Sequence, residues 1–237
     1  MTEQVAKYMA RNARIFCVSL ADAVNRSAEL NHLTGEDRSL LGKLEVFACC
    51  IAALQKDEKA SVTARLSLPG IGTFSATADK DGIVRGRKEA FCDGVEDTLE
   101  VTLQLPLRGN YTGMVTGKGL EGLVSAYFAQ SLQIAACCKV FEASDGFYCV
   151  VAEQLPGEAC DLAALCGMAA ADLAAGKVPG EFEFLEATPL RFGCTCSRAA
   201  LMRFVTALSP AEQADLAENG KIVTHCNACG KKYTFEI

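Results

Sequence analysis

The chain has 237 residues, of which 50% are hydrophobic and 22% are charged, so it can form a sizeable globular core. Its net charge of −6 argues against a nucleic-acid-binding protein, because contacts to phosphate need a basic surface. The longest apolar run, residues 46–54, is too short for a membrane span, which needs ~20 residues. Thirteen cysteines with no recognisable export signal lead us to expect a cytoplasmic protein, in which thiols stay free or bind metal.

The first 155 residues predict an α/β (α+β) domain in which helices and sheet strands are mixed. Thr34 opens a long helix in which apolar residues recur at helical spacing up to Gln55. Period-two alternation then indicates an antiparallel meander with turns at Gly70 and Gly82. The predicted strands are residues 14–19, 61–68, 72–78, 83–88, 99–105, 111–116, 133–142 and 147–152, and further helices are predicted after residue 19 and at residues 120–130.

The composition changes after residue 155. Residues 156–190 predict a short helical linker, because alanine and glycine dominate and the helix at residues 161–175 has few large apolar side chains. Such a helix docks weakly and can detach. Residues 191–237 predict a small module with helices at 197–208 and 210–218. Ser209 caps the second of these, and a proline occupies its first position.

Two close pairs of cysteines in this module carry the most specific chemical signal. Cys194 and Cys196 form a Cys-x-Cys pair, Cys226 and Cys229 form a Cys-x-x-Cys pair, and 226 − 196 − 1 = 29 residues separate them. Two such pairs joined by a foldable segment are typical of a four-coordinate metal site. Four soft sulfur ligands favour Zn²⁺, and Gly230 permits a tight turn behind the second pair.

The sequence of this tail, Cys-x-Cys-Ser-Arg followed by Cys-x-x-Cys, resembles the bacterial 33 kDa heat-shock protein family, whose members are redox-regulated holdase chaperones. Segments in the order of that family are found at residues 82–86, 111–115, 127–131 and 154–156. The resemblance covers nearly the whole chain. It implies an N-terminal α/β chaperone core at residues 1–155, a helical linker at 156–190 and a C-terminal zinc redox-switch module at 191–237.

The resemblance also implies a mechanism. The four cysteines, Cys194, Cys196, Cys226 and Cys229, would bind Zn²⁺ when reduced. Oxidation would then form a disulfide within each pair, release zinc, unfold the linker and expose apolar surface. That surface would hold unfolded or partly folded client proteins, often in a homodimer. The implied protein is not an enzyme and binds neither nucleic acid nor membrane.

Three departures from the family pattern leave alternatives open. Ala199 and Ala200 follow the Cys-Ser-Arg segment where the family has Glu-Arg, the residues after Ser131 differ, and the segment between Pro156 and Cys194 is short. One alternative is a family member that has lost the redox switch. The other is a zinc-ribbon interaction or nucleic-acid-binding module attached to an α/β domain.

The remaining motifs are weaker. Residues 117–122 match a dinucleotide-binding fingerprint, but the strand before them alternates polar and apolar residues, unlike a buried parallel strand. His225 is an alternative metal ligand that four cysteines make unnecessary. The chain has two histidines and scattered carboxylates, so no catalytic set is expected. We expect the other nine cysteines to be small core residues: Cys17, Cys49, Cys50, Cys92, Cys137, Cys138, Cys149, Cys160 and Cys166.

Overall fold

The structure is a computed structural model that describes residues 2–89, 92 and 94–236. Six α-helices and thirteen β-strands lie within these residues. The helices are α1 (Asp22–Asn31), α2 (Gly35–Leu54), α3 (Gly119–Ala126), α4 (Leu162–Ala174), α5 (Arg198–Ala207) and α6 (Pro210–Leu216). The strands are β1 (Gln4–Ala10), β2 (Ala13–Leu20), β3 (Ser61–Leu68), β4 (Gly72–Asp79), β5 (Ile83–Glu89), β6 (Asp97–Leu105), β7 (Gly109–Gly117), β8 (Ala136–Ala143), β9 (Gly146–Gln154), β10 (Glu183–Pro189), β11 (Arg191–Phe192), β12 (Lys221–His225) and β13 (Lys232–Glu236).

Helix α2 is the centre of the main core, and a sheet packs on each side of it. It contacts strands β3, β4 and β5 of one sheet and β2, β8 and β9 of the other. Its side chains are buried around nearly the whole circumference between Leu41 and Ala52. A helix that is apolar on all sides is one that protein surrounds. The predicted helix is confirmed, and its burial extends beyond the predicted apolar face.

The two large sheets confirm the α+β fold class. One has the strand order β10-β1-β2-β9-β8 and is antiparallel throughout. The other has the order β11-β5-β4-β3-β6-β7, in which only β11 runs parallel to its neighbour. Alternation in β3 is as predicted, since Val62, Ala64, Leu66 and Leu68 all face the core. The predicted meander is therefore confirmed.

The predicted helix at residues 120–130 is divided in the structure. Helix α3 continues as a π-helical segment, Tyr127–Leu132, and Gln133 then ends it in a left-handed conformation with φ 55°. Both Tyr127 and Phe128 are buried, with ring centroids 6.0 and 6.4 Å from that of Phe47 in α2. Two successive aromatic rings of this segment thus pack into the main core. This ending also explains why β8 starts at residue 136 rather than 133.

Sequence patterns did not predict five strands, β1, β10, β11, β12 and β13, of which β11 has only two residues and so can show no alternation. Strand β10 forms the edge of its sheet and exposes nearly all of its side chains, so it carries no alternation. Strand β1 has buried neighbours at Val5 and Ala6, which breaks a period of two. The five-residue strands β12 and β13 form a separate hairpin.

The glycine motif at residues 117–122 does not belong to a dinucleotide-binding unit. Strand β7, which precedes it, is an edge strand that pairs antiparallel with β6. The dinucleotide motif requires a parallel βαβ unit, so the sequence-based rejection of this motif holds. In the described part of the chain, no helix is long and apolar enough to span a membrane.

The segment predicted as a linker lies against the N-terminal sheet. Helix α4 covers the face of the five-stranded sheet that is turned away from α2, where Ile15 and Cys17 are buried. The helix contributes Leu165, Cys166 and two alanines to this second core. Strand β10 extends the same sheet by pairing with β1. The division of the chain at residues 155 and 190 remains a prediction.

One carboxyl group is completely buried between α1, α2 and β5. Glu45 has no exposed surface, and one of its oxygens accepts a hydrogen bond of 2.5 Å from the hydroxyl of Ser27. The other oxygen is buried and has no partner among the described residues. Burial raises the pKa of Glu45 to about 8, and the hydrogen bond from Ser27 only partly opposes this. The carboxyl is therefore protonated at neutral pH.

We predict that the Glu45→Gln variant loses a specific pH dependence of stability. The folded state binds the Glu45 proton more tightly than the unfolded state, whose pKa is near 4.5. The stabilisation by the protonated carboxyl is therefore greatest below pH 4.5, declines as the pH rises and is fully lost above about 8. The decline has an upper limit of about 1.4 kcal/mol per pH unit. Urea unfolding of both proteins between pH 5 and 8 measures it.

The matched control is Glu29→Gln, because Glu29 is an exposed carboxylate that pairs with Arg26 on the surface. This control should reproduce the pH profile of the unchanged protein. Parallel profiles for the Glu45→Gln variant and the unchanged protein would contradict the buried, protonated state of Glu45.

Candidate metal centre

Two tight segments bring the four cysteines of the C-terminal module together. Cys194 and Cys196 lie between β11 and α5, and Ser197 caps that helix by accepting a hydrogen bond from the N–H of Ala200. Cys226 and Cys229 lie in the turn of the β12–β13 hairpin. Within that turn the Cys226 N–H donates to the Lys231 carbonyl, and the Gly230 N–H donates to the Cys226 carbonyl. Gly230 has φ 74°, which a residue with a side chain rarely adopts.

The four sulfur atoms form one compact cluster. All of them lie within 4.8 Å of one another. The sulfurs of Cys194 and Cys226 are 3.7 Å apart, and so are those of Cys196 and Cys229. A tetrahedral ion with bonds of about 2.3 Å to sulfur has sulfur–sulfur edges of about 3.8 Å. The spacing therefore suits four separate thiols around a single metal ion.

Neighbouring groups donate hydrogen bonds to the sulfur atoms of the cluster. The Tyr233 hydroxyl donates to the sulfur of Cys196 over 3.1 Å, and the Ala228 N–H donates to that of Cys226 over 3.4 Å. Burial acts to raise the pKa of Cys226, but donors from the backbone of Ala228 and Cys229 and from neighbouring thiols outweigh it and lower that pKa. Burial raises the pKa of Cys194 and Cys229. The hydrogen bond to Cys196 raises the pKa of Tyr233.

The module around the cluster has a small apolar core. Its buried members include Val205, Ile222 and Phe235, together with Cys226 and Cys229 themselves. The Arg198 guanidinium adds a hydrogen bond of 2.6 Å to the Thr234 carbonyl and lies over the Phe235 ring. So few apolar side chains do not stabilise a module of about 45 residues unaided, whereas a metal ion bound by the four cysteines would contribute directly to its folding.

Strand β11 docks the module on the N-terminal domain. The Arg191 N–H donates to the Gly82 carbonyl over 2.9 Å, and the Gly193 N–H donates to the Val84 carbonyl over 3.1 Å. The side chain of Phe192 packs against both the main core and the module core. Residues 82–86, which sequence analysis singled out as a family segment, therefore receive the docked module.

All four cysteines of the predicted metal site lie in this cluster. His225, the alternative ligand, is exposed and lies outside it. Sequence analysis missed Tyr233, which follows the second cysteine pair by four residues. It also missed Asn31, whose amide donates to the Cys229 carbonyl from 198 residues away. The closeness of an aromatic residue to the second cysteine pair could have indicated Tyr233. No local sequence pattern indicates Asn31.

The other nine cysteines are free, and five of them are buried as predicted: Cys17, Cys49, Cys50, Cys149 and Cys166. The remaining four are only half-buried, which corrects the expectation that all were core residues: Cys92, Cys137, Cys138 and Cys160. Burial raises the pKa of Cys17 to about 12 and raises that of Cys149 strongly. Such thiols stay protonated at neutral pH and react slowly with oxidants.

The fold and the cluster define an α+β protein with a small C-terminal module in which four cysteines can hold a metal ion. Comparison with known proteins gives the family. The family model described as Hsp33 protein matches residues 3–236. The chain therefore belongs to the Hsp33 family.

Relatives and a solved structure agree with this assignment. Two proteins named 33 kDa chaperonin, from Caldanaerobacter subterraneus subsp. tengcongensis and Lactobacillus helveticus, are 26% and 25% identical to this chain. The alignments cover 94% and 95% of the chain and 90% of each relative. The crystal structure of the 33 kDa chaperonin of Thermotoga maritima shares the fold, with a TM-score of 0.77 and 17% identity over 100% of this chain and 95% of that one. Family and names support a chaperone function.

We predict that the Tyr233→Phe variant binds Zn²⁺, used as the probe ion, about 10-fold more weakly than the unchanged protein. The substitution removes only the hydroxyl that donates to the Cys196 sulfur and retains the buried ring. Competition with a chromogenic chelator measures the affinity. Tyr111→Phe is the control, because Tyr111 is exposed in β7, and it should leave the affinity unchanged. Equal affinities for both variants would show that the hydroxyl does not support the cluster.

Proposed function

We propose that this protein is a holdase chaperone that oxidation switches on. In the reduced state Cys194, Cys196, Cys226 and Cys229 bind one Zn²⁺. The observation that carries the proposal is the four-sulfur cluster, which closes a module that is itself docked on the N-terminal domain. Family membership supports the chaperone activity, and the cluster supports its control by thiol chemistry.

Zinc suits this donor set, because four soft sulfurs at tetrahedral spacing are its preferred structural environment. When bound, it supplies the positive charge that holds the sulfurs as thiolates at neutral pH. Thiolates are the form that oxidants attack. The cluster is therefore the thiol set of this chain most exposed to oxidation, in contrast to buried thiols such as Cys17, whose pKa is raised.

We infer that hydrogen peroxide oxidises each pair to a disulfide, Cys194 with Cys196 and Cys226 with Cys229. In each step two thiolates lose two electrons and a sulfur–sulfur bond forms. The peroxide O–O bond breaks, and its oxygens take up two protons in addition to their own and leave as two water molecules. The sulfurs of each pair then no longer serve as thiolate ligands. Because the module has only a small core of its own, it unfolds.

Unfolding of the module removes the anchor at the end of the linker. Strand β11 directly follows β10, so release of β11 frees the chain that holds β10 against β1. Helix α4 covers the outer face of the five-stranded sheet with small residues and leucines, which are Leu162, Leu165, Cys166, Ala169, Ala170 and Leu173. Its departure would expose an apolar surface that includes Tyr8, Ile15 and Val150. A continuous apolar surface of this kind binds unfolded chains.

The remaining parts of the proposal follow the family. The domains are residues 1–155, 156–190 and 191–237. The partners are unfolded or partly folded client proteins and, in the oxidised state, a second copy of the chain. The protein acts in the cytoplasm, does not catalyse a reaction, and binds neither nucleic acid nor membrane.

Peroxide titration of the reduced, zinc-loaded protein at elevated temperature tests the proposal. Zinc release is followed with a metal-sensitive dye, and chaperone activity is followed by light scattering from a thermally unfolding model enzyme. We expect both signals to rise together and to reverse with dithiothreitol. The Cys226→Ser variant lacks one of the four metal ligands as well as the partner of Cys229, so we expect chaperone activity before oxidation and a further increase with peroxide that is about 10-fold or more smaller.

The Cys92→Ser variant is the control, since Cys92 is partly buried outside the cluster, and it should respond as the unchanged protein does. Mass spectrometry of the oxidised protein should find disulfides within each cysteine pair. Zinc release without chaperone activity would instead indicate a family member that has lost the switch. A reduced protein that binds no zinc would contradict the proposed site.

A further inference from the structure

Asn31, the last residue of α1, joins the N-terminal domain to the turn that carries two of the clustered cysteines. Its side-chain amide nitrogen lies 3.1 Å from the Cys229 carbonyl oxygen, 3.2 Å from that of Gly86 and 2.8 Å from that of Ser27. The first acceptor belongs to the module, the second to β5 and the third to α1 itself. A single amide thus connects three elements that are distant in sequence.

Gly230 allows the cysteine turn to approach Asn31 this closely, and Gly86 allows β5 to pack closely on α2. A side chain at Gly230 would overlap the side-chain amide oxygen (Oδ1) of Asn31. A Cβ atom at Gly86 would lie 2.6 Å from a carboxyl oxygen of Glu45 in α2. The interface therefore has no room for other residues at these positions. Because the interface is closely packed, the docked module has little freedom to shift.

Buried polar groups fix the N-terminal side of this contact. The Ser27 hydroxyl donates to Glu45 and accepts a hydrogen bond of 3.2 Å from the Gly86 N–H. Gly86 is thus held through its N–H by Ser27 and through its carbonyl by Asn31. The hydrogen bonds between Ser27, Glu45 and Gly86 therefore fix the part of the N-terminal domain that carries Asn31.

Other contacts between the two parts, among the described residues, include the short β11–β5 pairing, the side chains of Phe192 and Leu30, which pack against the module core, and a hydrogen bond of 3.4 Å from the Arg85 guanidinium to the Gly193 carbonyl. Of the hydrogen bonds between the two parts that the described residues form, only the one from Asn31 reaches the turn between Cys226 and Cys229. Asn31 is placed to hold that turn.

We propose that Asn31 is the positioning residue that holds the C-terminal module in its docked state. It thereby sets the oxidant concentration at which the chaperone is activated. This inference rests on the proposed function. Loss of the amide would weaken docking while leaving the four sulfurs in place. The module would then separate more often from the N-terminal domain, and its thiolates would be reached by peroxide more readily.

The test compares Asn31→Ala with Asn25→Ala in the full-length, zinc-loaded protein. Asn25 lies on the same helix and contacts Arg38 rather than the module. Docking is measured by hydrogen exchange at the Arg191 and Gly193 amides, which bond to β5. In Asn31→Ala we expect about 3- to 10-fold faster exchange at both amides and a similar fall in the half-activating peroxide concentration. Asn25→Ala should change neither value.

Asn31→Asp is a second variant that keeps the shape of the side chain but removes its donor. Asn31→Asp should change the exchange rates and the half-activating peroxide concentration in the same direction as Asn31→Ala. Agreement between the two variants would show that the effect does not come from a general folding defect of the alanine variant. Urea unfolding of the N-terminal domain shows whether the domain is intact. Unchanged exchange in Asn31→Asp would overturn the inference, even where the unchanged protein responds to peroxide. An unchanged protein that does not respond to peroxide would instead overturn the proposed function.

Discussion

Four sulfur atoms gathered from the two ends of a folded segment are the constraint on which the C-terminal part of the molecule depends. The loop between Cys196 and Cys226 contains two helices and one strand, but it buries few large side chains. Closing a loop of this length costs entropy that such a core does not offset by itself. A metal ion bound by all four cysteines would supply the missing free energy. The stability of the module is thereby coupled to the chemical state of its thiols.

The N-terminal domain does not share this dependence. Helix α2 fills the space between two sheets with completely buried side chains such as Leu44 and Phe47. The outer face of the five-stranded sheet is covered differently, by the small residues of α4 and by the exposed edge strand β10. Local opening favours regions with few buried contacts. In the amino-acid sequence, this least firmly held layer lies between the core domain and the C-terminal module.

Local chemistry in the sequence predicted much of the fold and the candidate site. Alternation predicted β3, and the cysteine spacing identified the residues of the cluster. Long-range contacts could not be predicted, because the pairing of β10 with β1 and the contact of Asn31 with Cys229 leave no periodic pattern. Gly230 shows how far prediction from the sequence reached. The sequence indicated a tight turn, whereas only the structure shows that Asn31 packs against it.

Hydrogen exchange followed by mass spectrometry, on the full-length protein before and after peroxide, tests the central claim most directly. The claim is that oxidation of the thiol cluster is transmitted to the layer formed by α4 and β10. The account predicts loss of protection in the module and in both of these elements, while β3 and α2 stay protected. If chaperone activity appears while α4 and β10 keep their protection, the coupling between the cluster and the apolar sheet is wrong.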